Sequence, residues 1–468
     1  MRASVFIPSA RARYFCALAF VLCVALPAAA QRAPARPAGS PAAEVGALLR
    51  EAVSLLQQGR TAEAEPLLRR SVAAAPLNAD AHNLLGAILD QRGRTREAER
   101  EFREALRLNP KSIAARANLG VLLARARRVR EAVEAFEAVL RDAPGHPQAV
   151  FNLGLLYAAG GDYARAAPLL ERANAERPNT YEIVFNLGVA LRRLGRLEEA
   201  ARMLEASASL SPSAPEPLLQ LGLVASARGD SEAAAGFWQR ALALRPDFAE
   251  AAFMLGEELT KHRRYEGAAE FYARAVERDP TKLVYQVRLG GAYMKLVRHD
   301  EALAVFRRAA ERFPQVAEAH YFVGIALRAK GDYEAAAQAF RRALALAPEN
   351  ADARAQLGFV AGERGEFDEA ERLLRRASSL APEHFYAHYD LGRLLVKTRR
   401  YSEALPALGR AAALRPADPG VRYQLFTAYT RLGRKEEAER ELSLFKRLDE
   451  ERKRRRREGI AEEDDEPE

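Results

Sequence analysis

His384 and His388 stand four residues apart in the segment HFYAH. That spacing can set two imidazoles on one face of a helix, where they would share a metal ion. A third ligand is not evident nearby and would have to come from elsewhere in the chain. The sequence holds no H-E-x-x-H and no G-x-S-x-G segment. It shows no strand pattern, so no strand leads into a phosphate-cradling glycine loop. No catalytic group, cofactor or metal is therefore expected, and the chain is not read as an enzyme. Another set of polar residues suits binding. Asn118, Asn152, Asn186 and Gln220 follow one another at intervals of 34 residues, and Gln356 and Gln424 lie further along the same register. A side-chain amide offers two donors and an acceptor. It can pair with both polar groups of a peptide backbone whatever the peptide's sequence.

The elements that would position these residues follow from the same interval. Proline recurs every 34 residues from Pro76 to Pro416, and alanine recurs without a gap from Ala64 to Ala438. Glycine marks a third register from Gly86 to Gly392, replaced by Ala52 in the first unit and Phe426 in the last. Apolar residues recur at helical spacing inside each unit, as in Leu119, Leu122, Leu123 and then Ala132, Phe136, Val139, Leu140. Each unit thus predicts two helices, A and B, separated by a turn such as Gly161-Asp162 or Gly331-Asp332. The glycine of helix A and the alanine of helix B let the two axes approach closely. The proline ends helix B. A single hairpin cannot bury its apolar face, whereas a stack of hairpins can. Trp238 falls where other units carry Phe102, Phe136 and Phe306, and reads as core. His388 shares its place in the unit with His82 and His320, which weakens its reading as a ligand.

Twelve units cover residues 45–452 without an insertion, 408 of the 468 residues. Their bounds are 45–78, 79–112, 113–146, 147–180, 181–214, 215–248, 249–282, 283–316, 317–350, 351–384, 385–418 and 419–452. The unit resembles the tetratricopeptide repeat, with L-G at positions 7 and 8, A at 20, a large apolar residue at 24, A at 27 and P at 32. Leu153-Gly154, Ala166, Leu170, Ala173 and Pro178 carry the pattern in one unit. Leu255-Gly256, Ala268, Tyr272, Ala275 and Pro280 carry it in another. The usual tryptophan at position 4 is missing throughout. The resemblance implies an all-α fold, an α-solenoid of twelve helix-turn-helix repeats forming a right-handed superhelix with helix A on the concave side.

The resemblance further implies a groove lined by positions 2, 5, 6, 9, 12 and 13 of each unit. Position 6 carries the amides Asn118, Asn152, Asn186 and Gln220, a row similar to the asparagine ladder in the repeat domain of O-linked N-acetylglucosamine transferases. No glycosyltransferase domain follows here. The alternative is that asparagine is simply common at this position. Position 5 carries Phe151, Phe185, Leu219 and Phe253, then Tyr321, Tyr389 and Tyr423. These are either ligand-facing aromatics or core between repeats. Positions 12 and 13 are basic in seven units, among them Arg125, Arg192, Lys261, Arg328 and Lys397. They favour acidic ligands or merely complement the helix dipole.

The ends differ from the repeats. Arg2, Arg11 and Arg13 precede an apolar run, Tyr14 to Leu26, then Pro27 and Ala28-Ala29-Ala30. This is the pattern of a signal peptide over residues 1–30, cleaved after Ala30, with an uncleaved anchor as the other reading. Both cysteines, Cys16 and Cys23, lie inside it, so the mature chain would carry no thiol and no membrane span. Its loss takes the formal charge from +9 to +6, too mild to imply nucleic-acid binding. Residues 31–44 read as a Pro/Ala-rich tether. Residues 453–468 read as a charged, disordered tail. The basic block 452–457 is either a weak contact for an anionic surface or a solvated helix end. Together these features predict an exported, periplasmic or secreted scaffold that binds an extended peptide segment of a partner protein, in envelope assembly or export. The rivals are an accessory subunit of a glycan-modifying or polysaccharide-export enzyme complex and a purely structural spacer.

Overall fold

The computed structural model describes residues 41–457, and the segment read as a signal peptide lies outside them. The described residues form twenty-four helices in twelve antiparallel hairpins, with no strand among them. Helix A of the first hairpin spans Pro41–Gln57, so its opening turn takes in four residues of the predicted tether. The last helix B runs Lys435–Arg457, five residues beyond the repeat. Lys453 pairs with Asp449 at 2.7 Å and Glu450 at 3.3 Å, the spacing that supports a helix. No described helix is long and apolar enough to cross a membrane.

Local chemistry explains the hairpin. Asn78, Ser112, Asn350 and Asp418 cap A helices, each accepting a backbone N–H of the first turn. Asp162, Asp230 and Asp332 do the same for B helices. The turn from A to B passes through a left-handed residue in all twelve repeats. Eight are glycines, and Arg127, Arg263, Val297 and Arg399 take the same conformation without being glycine. Position 4, where tryptophan is missing, has a different use. The side-chain N–H groups of His82, Gln286, His320 and His388 lie 3.0–3.1 Å from the carbonyl of the proline six residues upstream. Arg116 and Arg354 bond the same carbonyl in their repeats. The proline leaves that carbonyl outside the helix ladder, and position 4 satisfies it.

Packing inside the hairpin pairs a missing side chain with a large one. A Cβ added to Gly222 would lie 2.2 Å from the indole nitrogen of Trp238. Added to Gly290 it would lie 2.3 Å from the ring of Phe306. Trp238 is fully buried and donates from Nε1 to the Leu219 carbonyl at 3.2 Å. The twelve position-20 alanines are likewise buried. Outside, an arginine fork ties one repeat to the next. Arg128 donates to Glu131 of its own helix and to Glu99 of the preceding repeat, at 2.5 Å each. Arg94 and Arg400 repeat the arrangement with Glu97 and Glu65, and with Glu403 and Glu371. These pairs face solvent, so each contributes little to stability.

The described residues divide into two compact units, with the boundary between Arg245 and Pro246. In the first, successive A helices from repeat 2 to repeat 6 touch one another. In the second they do so from repeat 8 to repeat 12. The A helices of repeats 2 to 6 thus form one continuous row, and those of repeats 8 to 12 form another.

Candidate interaction face

The amide row lies on the A helices of the first unit: Ile113–Arg125, Pro147–Gly160, Tyr181–Arg193 and Glu216–Ala227. Its members sit deeper than a row of projecting side chains would. Asn118 is 8% exposed, Asn152 and Gln220 are equally buried, and Asn186 is half-buried. Each is held by a bond within the chain. Asn152 and Asn186 donate from Nδ2 to the carbonyls of Gln148 and Glu182, one turn back, at 2.8 and 2.7 Å. Asn118 donates to Asn83 Oδ1 at 3.1 Å, and Gln220 accepts from Arg192 Nε at 3.0 Å. These bonds fix the side-chain torsions. An asparagine bound through one N–H keeps the chemistry of a second N–H and a carbonyl oxygen. Asn83 was not foreseen. It occupies position 5, where the sequence pattern drew attention to aromatics, and its partner in the next repeat was visible only in space.

The aromatic row divides. Phe185 is 5% exposed and stacks on Tyr181 with ring centroids 5.9 Å apart. Phe253 is 6% exposed and packs against Tyr285 at 4.6 Å and Tyr272 at 5.6 Å. Both are core, and this corrects their assignment to a groove. Phe151, Tyr321 and Tyr389 are half-buried. Tyr389 stacks on Phe385 at 5.7 Å, while Tyr321 meets Phe322 edge-on at 5.4 Å. Tyr423 is exposed.

The basic residues at the ends of the A helices act between repeats. Arg125 pairs with Asp90 of the preceding repeat. Lys397 donates to the Gly362 carbonyl at 3.2 Å, again one repeat back. The guanidinium of Arg328 lies 5.2 Å from the centre of the Phe359 ring in the following repeat.

In the second unit position 6 of repeat 11 holds an acid, Asp390, which the search for amides passed over. It is 8% exposed and lines a cavity of about 280 Å³ with Phe359, Gly362, Glu363, Arg393 and Lys397. Burial pushes the Asp390 carboxyl up to about 6, against the pull of Arg393. The histidine pair has other duties. His384 Nδ1 accepts the Ala387 N–H as a helix cap, and its Nε2 lies 2.8 Å from Asp352. Among the described residues no group of three or more His, Cys, Asp or Glu is placed to hold a metal ion.

Comparison with known families agrees with this architecture. Residues 49–113, 88–147, 117–179 and 151–215 each match the tetratricopeptide repeat model. Residues 248–459 match the C-terminal domain of cilia and flagella-associated protein 70. No curated protein matches the chain. Among solved structures it is similar to YrrB, described as a TPR protein with an unusual peptide-binding site. The identity there is 21% with a TM-score of 0.38, over 39% of this chain and 95% of that one. It is also similar to yeast Tom70, at 14% identity and a TM-score of 0.38, over 89% of this chain and 98% of that one. The Cut9 and Hcn1 hetero-tetramer of APC/C gives 14% identity and a TM-score of 0.41, over 84% of this chain and 90% of that one.

Proposed function

We propose that this chain, built of tetratricopeptide repeats, is a non-catalytic scaffold that holds an extended segment of a partner protein along the A helices of its first unit. The observation that carries the reading is the amide row. Four consecutive repeats offer a carboxamide at the same place, and each is oriented in advance by a bond to its own chain. Orienting the group beforehand lowers the entropy lost on binding. Helices packed at ~8–10 Å space the amides at roughly every third residue of an extended strand rising ~3.3 Å per residue. A grip on the peptide backbone leaves sequence preference to the side chains between the amides, including half-buried Phe151.

The test is selection of a random peptide display library on the full chain. Enriched peptides are expected, and replacing Asn118, Asn152 and Asn186 together by Ala should weaken them by roughly a hundredfold. That is ~1 kcal/mol for each lost hydrogen bond. Circular dichroism should stay helical. Equal binding by the triple variant sinks the amide row as the site. The proposal includes export, supported by the charged, apolar and small-residue order of residues 2–30. Amino-terminal sequencing of the protein expressed in a secreting bacterial host should begin at Gln31, and a retained Met1 would refute cleavage.

A further inference from the structure

The cavity of the second unit departs from the repeat pattern at Asp390 and Gly362. It lies between helix A of repeat 10 (Ala351–Glu363) and helix A of repeat 11 (Phe385–Lys397), with Leu374 of the intervening helix B at its floor. Gly362 leaves the space open, at a position where repeats 5 and 9 carry Arg192 and Arg328. Phe359 forms one side, approached by two guanidinium groups, Arg393 at 4.8 Å and Arg328 at 5.2 Å from its centre. Lys397 is exposed at the edge, where it donates to the Gly362 carbonyl. Glu363 accepts from Arg393 Nη2 at 3.1 Å. Asp390 lies 3.6 Å from Arg393 Nε, an ion pair beyond hydrogen-bond length. A buried carboxyl group beside open volume calls for a polar partner in that volume. Arg393 and Lys397 line the space and Arg328 lies against the Phe359 ring, three cations against two acids, and against one when Asp390 holds a proton.

We propose that this cavity is a subsite of the second unit for an acidic side chain of a partner peptide lying along that unit's own A helices. The inference rests on the scaffold reading above and extends peptide binding to the second unit. The glutamate or aspartate carboxylate enters beside Phe359, lies between Arg328, Arg393 and Lys397, and accepts a hydrogen bond from the Asp390 hydroxyl. A neutral Asp390 donates that bond, whereas an ionised one repels the guest. Binding at neutral pH therefore takes up a proton, and the preference for acid weakens as pH rises through 6. The charged groups facing Asp390 are Arg393 and His384 from its own helix and cap, Arg328 from repeat 9 and Glu363 from repeat 10. Helix B of repeat 10 presents Leu374.

The experiment selects a random peptide display library on the full chain at pH about 5.5 and about 7.5, where a peptide glutamate stays ionised. Enriched peptides are then synthesised with glutamate and with glutamine. Enrichment of an acid at one fixed place is expected, and the change to glutamine should cost roughly tenfold in Kd at the lower pH. Arg328→Gln and Lys397→Gln should erase that preference, while Asp390→Asn keeps it and makes it equal at both pH values. Enriched peptides with no fixed acid, or a preference that both cation variants leave intact, overturn the subsite and spare the peptide-binding reading. A pH difference that survives Asp390→Asn overturns the role of its proton. A library that yields no peptide overturns the subsite together with the scaffold reading.

Discussion

Position 6 of the repeat is used in two ways. In the first unit four consecutive repeats carry Asn118, Asn152, Asn186 and Gln220, neutral groups that act as donor and acceptor at once. In the second unit the same register reads Met254, Arg288, Phe322, Gln356, Asp390 and Gln424. A uniform row suits a ligand recognised through its backbone. A row that changes chemistry at each step suits a ligand recognised residue by residue. The two units also differ where A turns into B. Five of six left-handed turn residues are glycine in the first unit and three of six in the second. The first unit is thus the more regular in both its frame and its face.

The largest effect expected from breaking that regularity is in the hairpin core. Gly222→Ala would push a methyl group into Trp238, where no space exists, and should cost ~3 kcal/mol, the upper end for overpacking. Gly362→Ala in the second unit is the counterpart. Its Cβ would sit 3.7 Å from Leu394 in ordinary contact, and the gain in helix propensity of ~1 kcal/mol should prevail. Urea melts of the two variants should shift in opposite directions. If Gly222→Ala raises the urea midpoint as Gly362→Ala should, the position-8 glycine is not a packing device.

Asp390 tests the face rather than the frame. Its carboxyl titrates near 6 in the fold, above the ordinary aspartate value of ~3.9, so the fold favours the protonated form. That contribution is complete below about pH 4 and is lost as pH rises through 6. Asp390→Asn should therefore stabilise the second unit by ~2 kcal/mol at pH 7.5 and by almost nothing at pH 4. Asn152→Asp carries the same buried charge into the first unit and should lose stability over the same pH range. Equal shifts at both pH values would remove the buried charge as the cause.

These residues also mark what was legible beforehand. The hairpins were readable because glycine, alanine and proline recur for reasons of backbone approach and helix termination, which leave a strict period. Depth was not readable. Position 6 places a side chain on the face of helix A but does not say that Asn152 will fold back onto the Gln148 carbonyl. Phe185 and Phe253 share position 5 with Phe151, and they alone of the three are sealed, because Tyr181 and Tyr285 lie against them. Asp390 was passed over since the amides formed a pattern and one acid did not. Its cavity depends on Gly362 and Phe359 in the preceding repeat.

The turn offers the smallest and most local test. Val297 holds φ at 59° and is 72% exposed. A β-branched residue in the left-handed region carries ~1–2 kcal/mol of strain, and no burial offsets it here. Gly195 occupies the same place in the first unit with φ at 78°. Val297→Gly should stabilise the second unit by about 1 kcal/mol, since the relief of strain exceeds the entropy glycine adds to the unfolded chain. Gly195→Val should destabilise the first unit by a similar amount. Thermal melts of both exchanges check the pair. If Val297→Gly lowers Tm, the turn's conformation is held by contacts of the valine side chain rather than tolerated in spite of it.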